Sequence, residues 1–289
     1  MSKTAIIVDS NCDLPEITIL QHDIKVIPIR VFLNGVDYGM TRDYEGFYKI
    51  LENSKEFPIT SAITPFEYLQ YFEQYNKDGY TDALYISMSS TGSSTYGNSC
   101  IAKSWFEENH EGEEFLRIHL IDSLNYSLAY GYAAVRAAQV REAGGTVEEI
   151  IKAAKEWVDN LEVCVTAFSL EHIRRSGRIG SAVAMLGHAL NIRPVLKVVN
   201  GVFSSVSTVR GNNAAVMGIA TYFKNNMAEG TEYVVLRGSS PDPAEELIRL
   251  ATNISGKAPS VYTYVGPTTG ANTGPKMTGI GFMSTRNIK

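Results

Sequence analysis

Three apolar runs in the first half of this chain each end in a turn rich in hydroxyl side chains, and each turn leads into a helix-like segment. Ala5–Val8 runs into Asp9-Ser10-Asn11. Ala83–Ile86 runs into Ser87-Met88-Ser89-Ser90-Thr91-Gly92-Ser93-Ser94-Thr95, and Leu116–Ile121 into Asp122-Ser123. Short apolar runs bounded by turn signals suit strands buried on both faces. Strands alternating with helices build βαβ units around a mostly parallel sheet. If the three runs are parallel neighbours, their turns converge at one sheet edge. In open α/β sheets ligands bind at that edge, outside the strand C-termini. Serine and threonine there offer neutral donors to an anionic head group.

The surrounding sequence extends this pattern. Ile24–Phe32 is β-rich and Asn34-Gly35 signals a turn. Asp43–Leu51 has apolar residues at helical spacing. Thr64, Pro65 and Glu67 form a capping box with proline in the first turn, which predicts a helix to about Tyr75. Helices are expected over Thr95–Glu107, Leu124–Glu142 and Thr146–Asp159, the last opened by a box from Thr146 and Glu149. After Asn160 the order changes: a strand over Glu162–Phe168 and short helices over Leu170–Arg175 and Ser181–Leu190. Asn200-Gly201 then joins Pro194–Val199 to Val202–Thr208, a strong hairpin signal. A helix over Asn213–Asn225 and a strand–helix–strand series to Val265 follow. The expectation is an α/β N-terminal domain over residues 1–160, with a mostly parallel open sheet and flanking helices. An α+β domain with a β-hairpin is expected over 161–289.

Composition narrows the function. The apolar fraction of 44% supports real cores, and a net charge of −5 gives no basic field for nucleic acid. No apolar stretch is long enough to span a membrane. The first residues lack the apolar core and cleavage site of a signal peptide, and Cys12, Cys100 and Cys164 suggest neither a disulfide framework nor a zinc site. A cytoplasmic protein without metal or cofactor is expected. No Ser satisfies G-x-S-x-G, and there is no Walker A or dinucleotide fingerprint. His119, within a strand pattern, reads as a packed core residue.

Five segments could carry chemistry. The serine-rich turn could cap a helix or, with the helix N-terminus, hold an anion. Thr60-Ser61 reads on its own as a simple turn. The three arginines of Arg174-Arg175-Ser176-Gly177-Arg178 form either a solvated helix end or a patch for an anion or partner. Gly266–Pro275, dense in glycine and proline, reads as a shaped loop between two strands whose backbone amides approach something closely. Asp9 lies at the end of the first strand.

In order along the whole chain, these segments resemble the DegV family of bacterial fatty-acid-binding proteins. Ile7-Val8-Asp9-Ser10 with Asp13-Leu14-Pro15 is similar to I-V-T-D-S-x-x-D-L-P, and Thr60-Ser61 to T-S-Q-P-S. Ser89–Tyr96 is similar to S-S-x-L-S-G-T-Y, and Asp122-Ser123 to D-S. Leu170–Ile179 is similar to L-x-x-L-x-x-G-G-R-I, Arg193–Leu196 to K-P-I-L, and the last loop to G-x-H-T-G-P-G. The resemblance implies a long-chain fatty acid held between or beneath two domains, its carboxylate bound by Thr60 and Ser93, with Ser61, Asn272 and Arg178 at the same surface. It implies a non-enzymatic carrier that presents the carboxylate to a separate ATP-dependent kinase subunit. The alternatives are a small-molecule acyl or phosphoryl transferase using Ser93 or Asp9, and a regulatory module for another anionic molecule. Three positions depart from the pattern: Asn272 replaces the histidine, Lys276 the glycine after T-G-P, and Ala62-Ile63 the Gln-Pro. Asn272 can hydrogen-bond a carboxylate but carries no charge, and Lys276 is the candidate to supply the missing cation. An acyl chain gains about 0.8 kcal/mol per buried CH2, and the 16 tyrosines and 11 phenylalanines offer material for an apolar tunnel.

Overall fold

The computed structural model describes residues 3–111, 114–168, 170–177 and 191–285. Arg178 and the Ser181–Leu190 helix expected from sequence lie outside the described residues. The first part runs β1 (Thr4–Asp9), α1 (Glu16–Gln21), β2 (Ile24–Ile27), β3 (Arg30–Leu33), β4 (Val36–Asp37), α2 (Tyr44–Asn53), β5 (Ile59–Ser61) and α3 (Pro65–Lys77). It continues with β6 (Asp82–Ser87), α4 (Thr95–Asn109), β7 (Arg117–Asp122), α5 (Leu128–Glu142) and α6 (Val147–Asn160). The second part holds β8 (Leu161–Ala167), α7 (Glu171–Ser176), β9 (Ile192–Val199), β10 (Val202–Arg210), α8 (Asn212–Asn226) and β11 (Tyr233–Arg237). α9 (Asp242–Ser255), β12 (Val261–Tyr264), α10 (Pro267–Thr273) and β13 (Met277–Met283) complete it.

The three apolar runs are neighbours in a fully parallel sheet of order β2-β1-β6-β7. Ile6 pairs with Leu84 and Ser87 with Asp122. All three strand C-termini therefore reach one edge together. The β-rich run Ile24–Phe32 divides between sheets. Its second half, β3, joins the small antiparallel sheet β4-β3-β5, in which Val31 pairs with Thr60. The second part forms a six-stranded mixed sheet of order β10-β9-β8-β13-β11-β12, including the Asn200-Gly201 hairpin.

Helix α5 shows how the two large sheets meet. Every residue from Leu128 to Val135 is buried, as are Ala137 and Ala138. A helix apolar on all sides belongs in an interior, and this one packs against β1 and β6 of the parallel sheet and against β8, β11 and β13 of the mixed sheet. Small side chains make the approach possible: a Cβ added to Gly281 of β13 would lie 3.0 Å from that of Ala129. One hydrophobic core consequently runs from β1 through α5 to β8 and β11, while a second lies between the mixed sheet and helices α8 and α9.

Three local expectations are corrected. α5 begins at Leu128 rather than Leu124, because Leu124 and Ser127 both take positive φ and the Leu124 N–H donates to Asp122 Oδ1 at 3.1 Å. This corner delays the helix. The segment after Gly266 is a helix rather than a loop: Pro267 occupies its first turn and Gly274, at φ +81°, ends it, the usual placement of the two residues. His119 is half-buried at the margin of the sheet, with Nε2 3.0 Å from Asp82 Oδ1.

A cavity between the strand ends and the last helix

Thr60, Ser61, Ser93 and Asn272 line one cavity of about 350 Å³. Four elements converge to make it. β5 brings Thr60 and the exposed Ser61. The turn before α4 brings Gly92, Ser93 and Ser94. α10 contributes Thr268, Thr269, Asn272 and Thr273, and the 3-10 turn after β1 contributes Asn11. Asn11 ties these pieces together: its Nδ2 donates to Thr269 Oγ1 at 2.5 Å, and its Oδ1 accepts from the Ser127 N–H at 3.2 Å. Asn272 and Thr273 bond back to the carbonyls of Thr268 and Thr269. That i, i+4 spacing sets both side chains on the face turned to the cavity.

The serine-rich turn divides its labour. Ser89 and Thr91 hold the hairpin tip, since Thr91 Oγ1 donates to the Gly201 carbonyl at 2.9 Å and bonds Ser89 Oγ at 2.8 Å. Gly201 must be glycine, because it is at φ +75° and a Cβ would strike both hydroxyls. Ser93 faces the cavity and also closes the turn before α4: its Oγ accepts from the Thr95 N–H at 3.2 Å and bonds Thr95 Oγ1 at 2.7 Å. The α4 terminus thus adds partial positive charge at this wall.

Behind the polar end, the walls change character. Tyr126 and Phe203, stacked with centroids 5.5 Å apart, line both this cavity and a smaller apolar one of about 40 Å³. The smaller one runs between the parallel-sheet turns and the mixed sheet, against Val163, Val165, Leu196, Val198 and Leu236. Tyr126 and Phe203 escaped the sequence reading. Phe203 lies in a strand without a clean alternation of buried and exposed residues, and nothing local says what it faces.

Asp9 is not at the cavity. It is fully buried and accepts four hydrogen bonds, from Met88 N (2.9 Å), Asn11 N (3.0 Å), Tyr85 Oη (3.1 Å) and Tyr130 Oη (2.7 Å). Burial raises its pKa against those donors. It lashes β1 to β6 and α5 and offers no access to a substrate. Asp13 is also buried: it accepts from Ser127 Oγ, and burial pushes its carboxyl up to about 7. Lys276 is exposed and lines neither cavity. Among the described residues no cluster of side chains suits a metal ion, and no helix is long and apolar enough to cross a membrane.

A parallel α/β sheet backed on a mixed sheet, with a polar-ended cavity between them, defines the class structurally. A family model described as "Uncharacterised protein, DegV family" matches residues 3–285. A DegV domain-containing protein of Clostridium acetobutylicum is 30% identical over 285 residues, 98% of this chain and 99% of that protein. The chain belongs to the DegV family. Among solved structures, a fatty-acid-binding DegV family protein from Thermus thermophilus superposes with a TM-score of 0.84 at 25% identity, covering 98% of this chain and 99% of that one. A stearic-acid-binding protein from Eubacterium ventriosum gives 0.85 at 20% identity over 98% of each chain.

Proposed function

We propose that this protein binds a long-chain fatty acid, with the carboxylate at Thr60 and Ser93 and the acyl chain running past Tyr126 and Phe203. One observation carries the reading. Two neighbouring spaces that share Tyr126 and Phe203 as walls place hydroxyls and an amide on one side and an apolar chamber on the other. Ligand sites of this kind are mostly apolar, with a few polar groups that fix orientation. Among the described residues lining either space no side chain is acidic, so a carboxylate meets no like charge from them. That the Thermus thermophilus and Eubacterium ventriosum proteins bind fatty acids supports a fatty acid as the ligand.

The protein acts as a carrier rather than an enzyme, working in the cytoplasm and presenting its carboxylate to a separate ATP-dependent kinase subunit. The transferase alternative finds little support. Asp9 is enclosed, and the recorded partners of Ser93 Oγ are the hydroxyl and amide of Thr95 rather than an imidazole base. Mass spectrometry of lipid extracted from the purified protein tests the binding. A long-chain acid in near-stoichiometric amount is expected. A delipidated protein that takes up short anions but no long-chain acid would overturn the reading in favour of a different anionic ligand. Incubating loaded protein with a partner kinase and ATP, then trapping acyl phosphate with hydroxylamine, tests the presentation step.

A further inference from the structure

Beside the polar end of the lipid cavity lies a second chamber of about 240 Å³. Thr60 and Asn272 line both spaces, so the chamber begins where the proposed carboxylate ends. Its other principal walls are Phe57, just before β5, and His172, Arg175 and Ser176 of α7. None of the described side chains lining it is acidic.

Its two basic groups are held in place by one ring. The Arg175 guanidinium carbon sits 3.7 Å from the Phe57 ring centroid, and the His172 ring lies 4.9 Å from the same ring. A guanidinium stacked by its face keeps its N–H fork at the edge, where it can meet an oxyanion with two bonds. His172 Nδ1 is buried without a partner. It is packed against Gly274, where a Cβ would lie only 2.9 Å from that nitrogen. The imidazole therefore meets the chamber through its opposite edge. Burial lowers the His172 pKa and the charge of Arg175 lowers it further, with Glu171 opposing. The Arg175 charge thus disfavours the imidazolium form of His172 across a space whose described lining carries no anion. A bound anion would relieve that repulsion.

We propose that this chamber is a binding subsite for a phosphate-class oxyanion, placed to take a phosphoryl group carried on the fatty-acid carboxylate. The inference rests on the fatty-acid reading above. A guanidinium, an imidazole, the Thr60 hydroxyl and the Asn272 amide surround the space from two separate elements and the last helix. That array suits a tetrahedral dianion better than a flat carboxylate, which two donors satisfy. It also changes the account of the missing histidine: the basic groups next to Asn272 come from α7, not from Lys276.

Two probes test the subsite: a long-chain 2-oxoalkylphosphonate, which mimics an acyl phosphate without hydrolysing, and inorganic phosphate added to lipid-loaded protein. Wild-type protein should bind the phosphonate at least about tenfold more tightly than Arg175→Gln or the Arg175→Gln/His172→Gln pair does, while the parent fatty acid stays within about twofold. Arg175 is exposed, so the single variant reads the effect without disturbing the core. Loss of phosphonate and inorganic phosphate affinity together would support a subsite that also takes free phosphate. Loss of phosphonate affinity alone would support one that needs the acyl-borne group. Equal phosphonate affinity in wild type and variants, with fatty-acid binding intact, would overturn the subsite and leave the lipid reading standing. Wild-type protein that binds no fatty acid would overturn both.

Discussion

Ser93 and Thr60 face the same cavity but differ in what else they hold. Ser93 Oγ accepts the Thr95 N–H in the turn that leads into α4, so Ser93→Ala should cost about 1 kcal/mol of stability, the usual net worth of a hydrogen bond. Thr60 has no such second task among its recorded contacts, so Thr60→Ala should leave the urea midpoint near wild type. Each hydroxyl lost from a charged ligand removes about 1.5–3 kcal/mol, which is roughly tenfold or more in affinity. Equal stability of the two variants would contradict the role of the Ser93 hydroxyl in that turn. A third residue gives a pH test. The Asp13 carboxyl is raised from 3.8 to about 7, with burial the largest cause. The folded state thus holds this proton more tightly than the unfolded chain. The stability Asp13 contributes is full below about pH 4 and is lost as pH rises through 7. Asp13→Asn removes that titration, while Asp9 remains in both proteins and cancels. Between pH 4 and 7.5 the stability difference should move in favour of the variant, by a few kcal/mol at most. A pH-independent difference in urea unfolding would refute it.

At the scale of elements, the signals with short-range causes were legible and those with long-range causes were not. The two capping boxes, Thr64–Glu67 and Thr146–Glu149, are present in the structure with both reciprocal bonds, because a cap is decided within four residues. Asn200 and Gly201 both take positive φ in the hairpin, as a two-residue turn demands. The late start of α5 was hidden because it depends on the Asp122 carboxylate and on how the corner packs. The helical state of 267–273 was signalled by Pro267 and Gly274, but the glycine-rich interior argued against it; packing decides, with Gly270 close against the Tyr48 ring. Of the candidate site, the hydroxyls were readable from the resemblance, and Arg178 falls outside the described residues. Tyr126, Phe203 and the α7 chamber depend on contacts between segments far apart in sequence. Gly131 shows the same effect in energy. A glycine inside a helix usually costs up to about 1 kcal/mol relative to alanine. Here a Cβ would strike the Cys12 carbonyl, so Gly131→Ala should destabilise rather than stabilise. A higher urea midpoint in that variant would show that α5 and the turn after β1 are less tightly joined than described.

Across the whole molecule, the parallel sheet, α5 and the mixed sheet share one core, and the cavity lies where strand ends, hairpin and last helix meet. The division at residue 160 remains a proposal about topology: α6 ends at Asn160 and β8 starts at Leu161 with no linker between them. The same arrangement explains why function was not visible in any one segment. A hydroxyl turn is a cap until β5 and α10 are brought against it, and Phe203 is an ordinary strand residue until the hairpin tip docks on Thr91. The central claim is that the carboxylate is recognised at Thr60 and Ser93 while the acyl chain is buried beyond Tyr126 and Phe203. The most direct test titrates delipidated protein with a long-chain fatty acid and with its methyl ester of equal length. The acid should bind at least about tenfold more tightly than the ester, and Thr60→Ala/Ser93→Ala should erase most of that preference while retaining ester binding. Equal affinity for acid and ester in the wild-type protein, or a preference untouched in the double variant, would contradict the account.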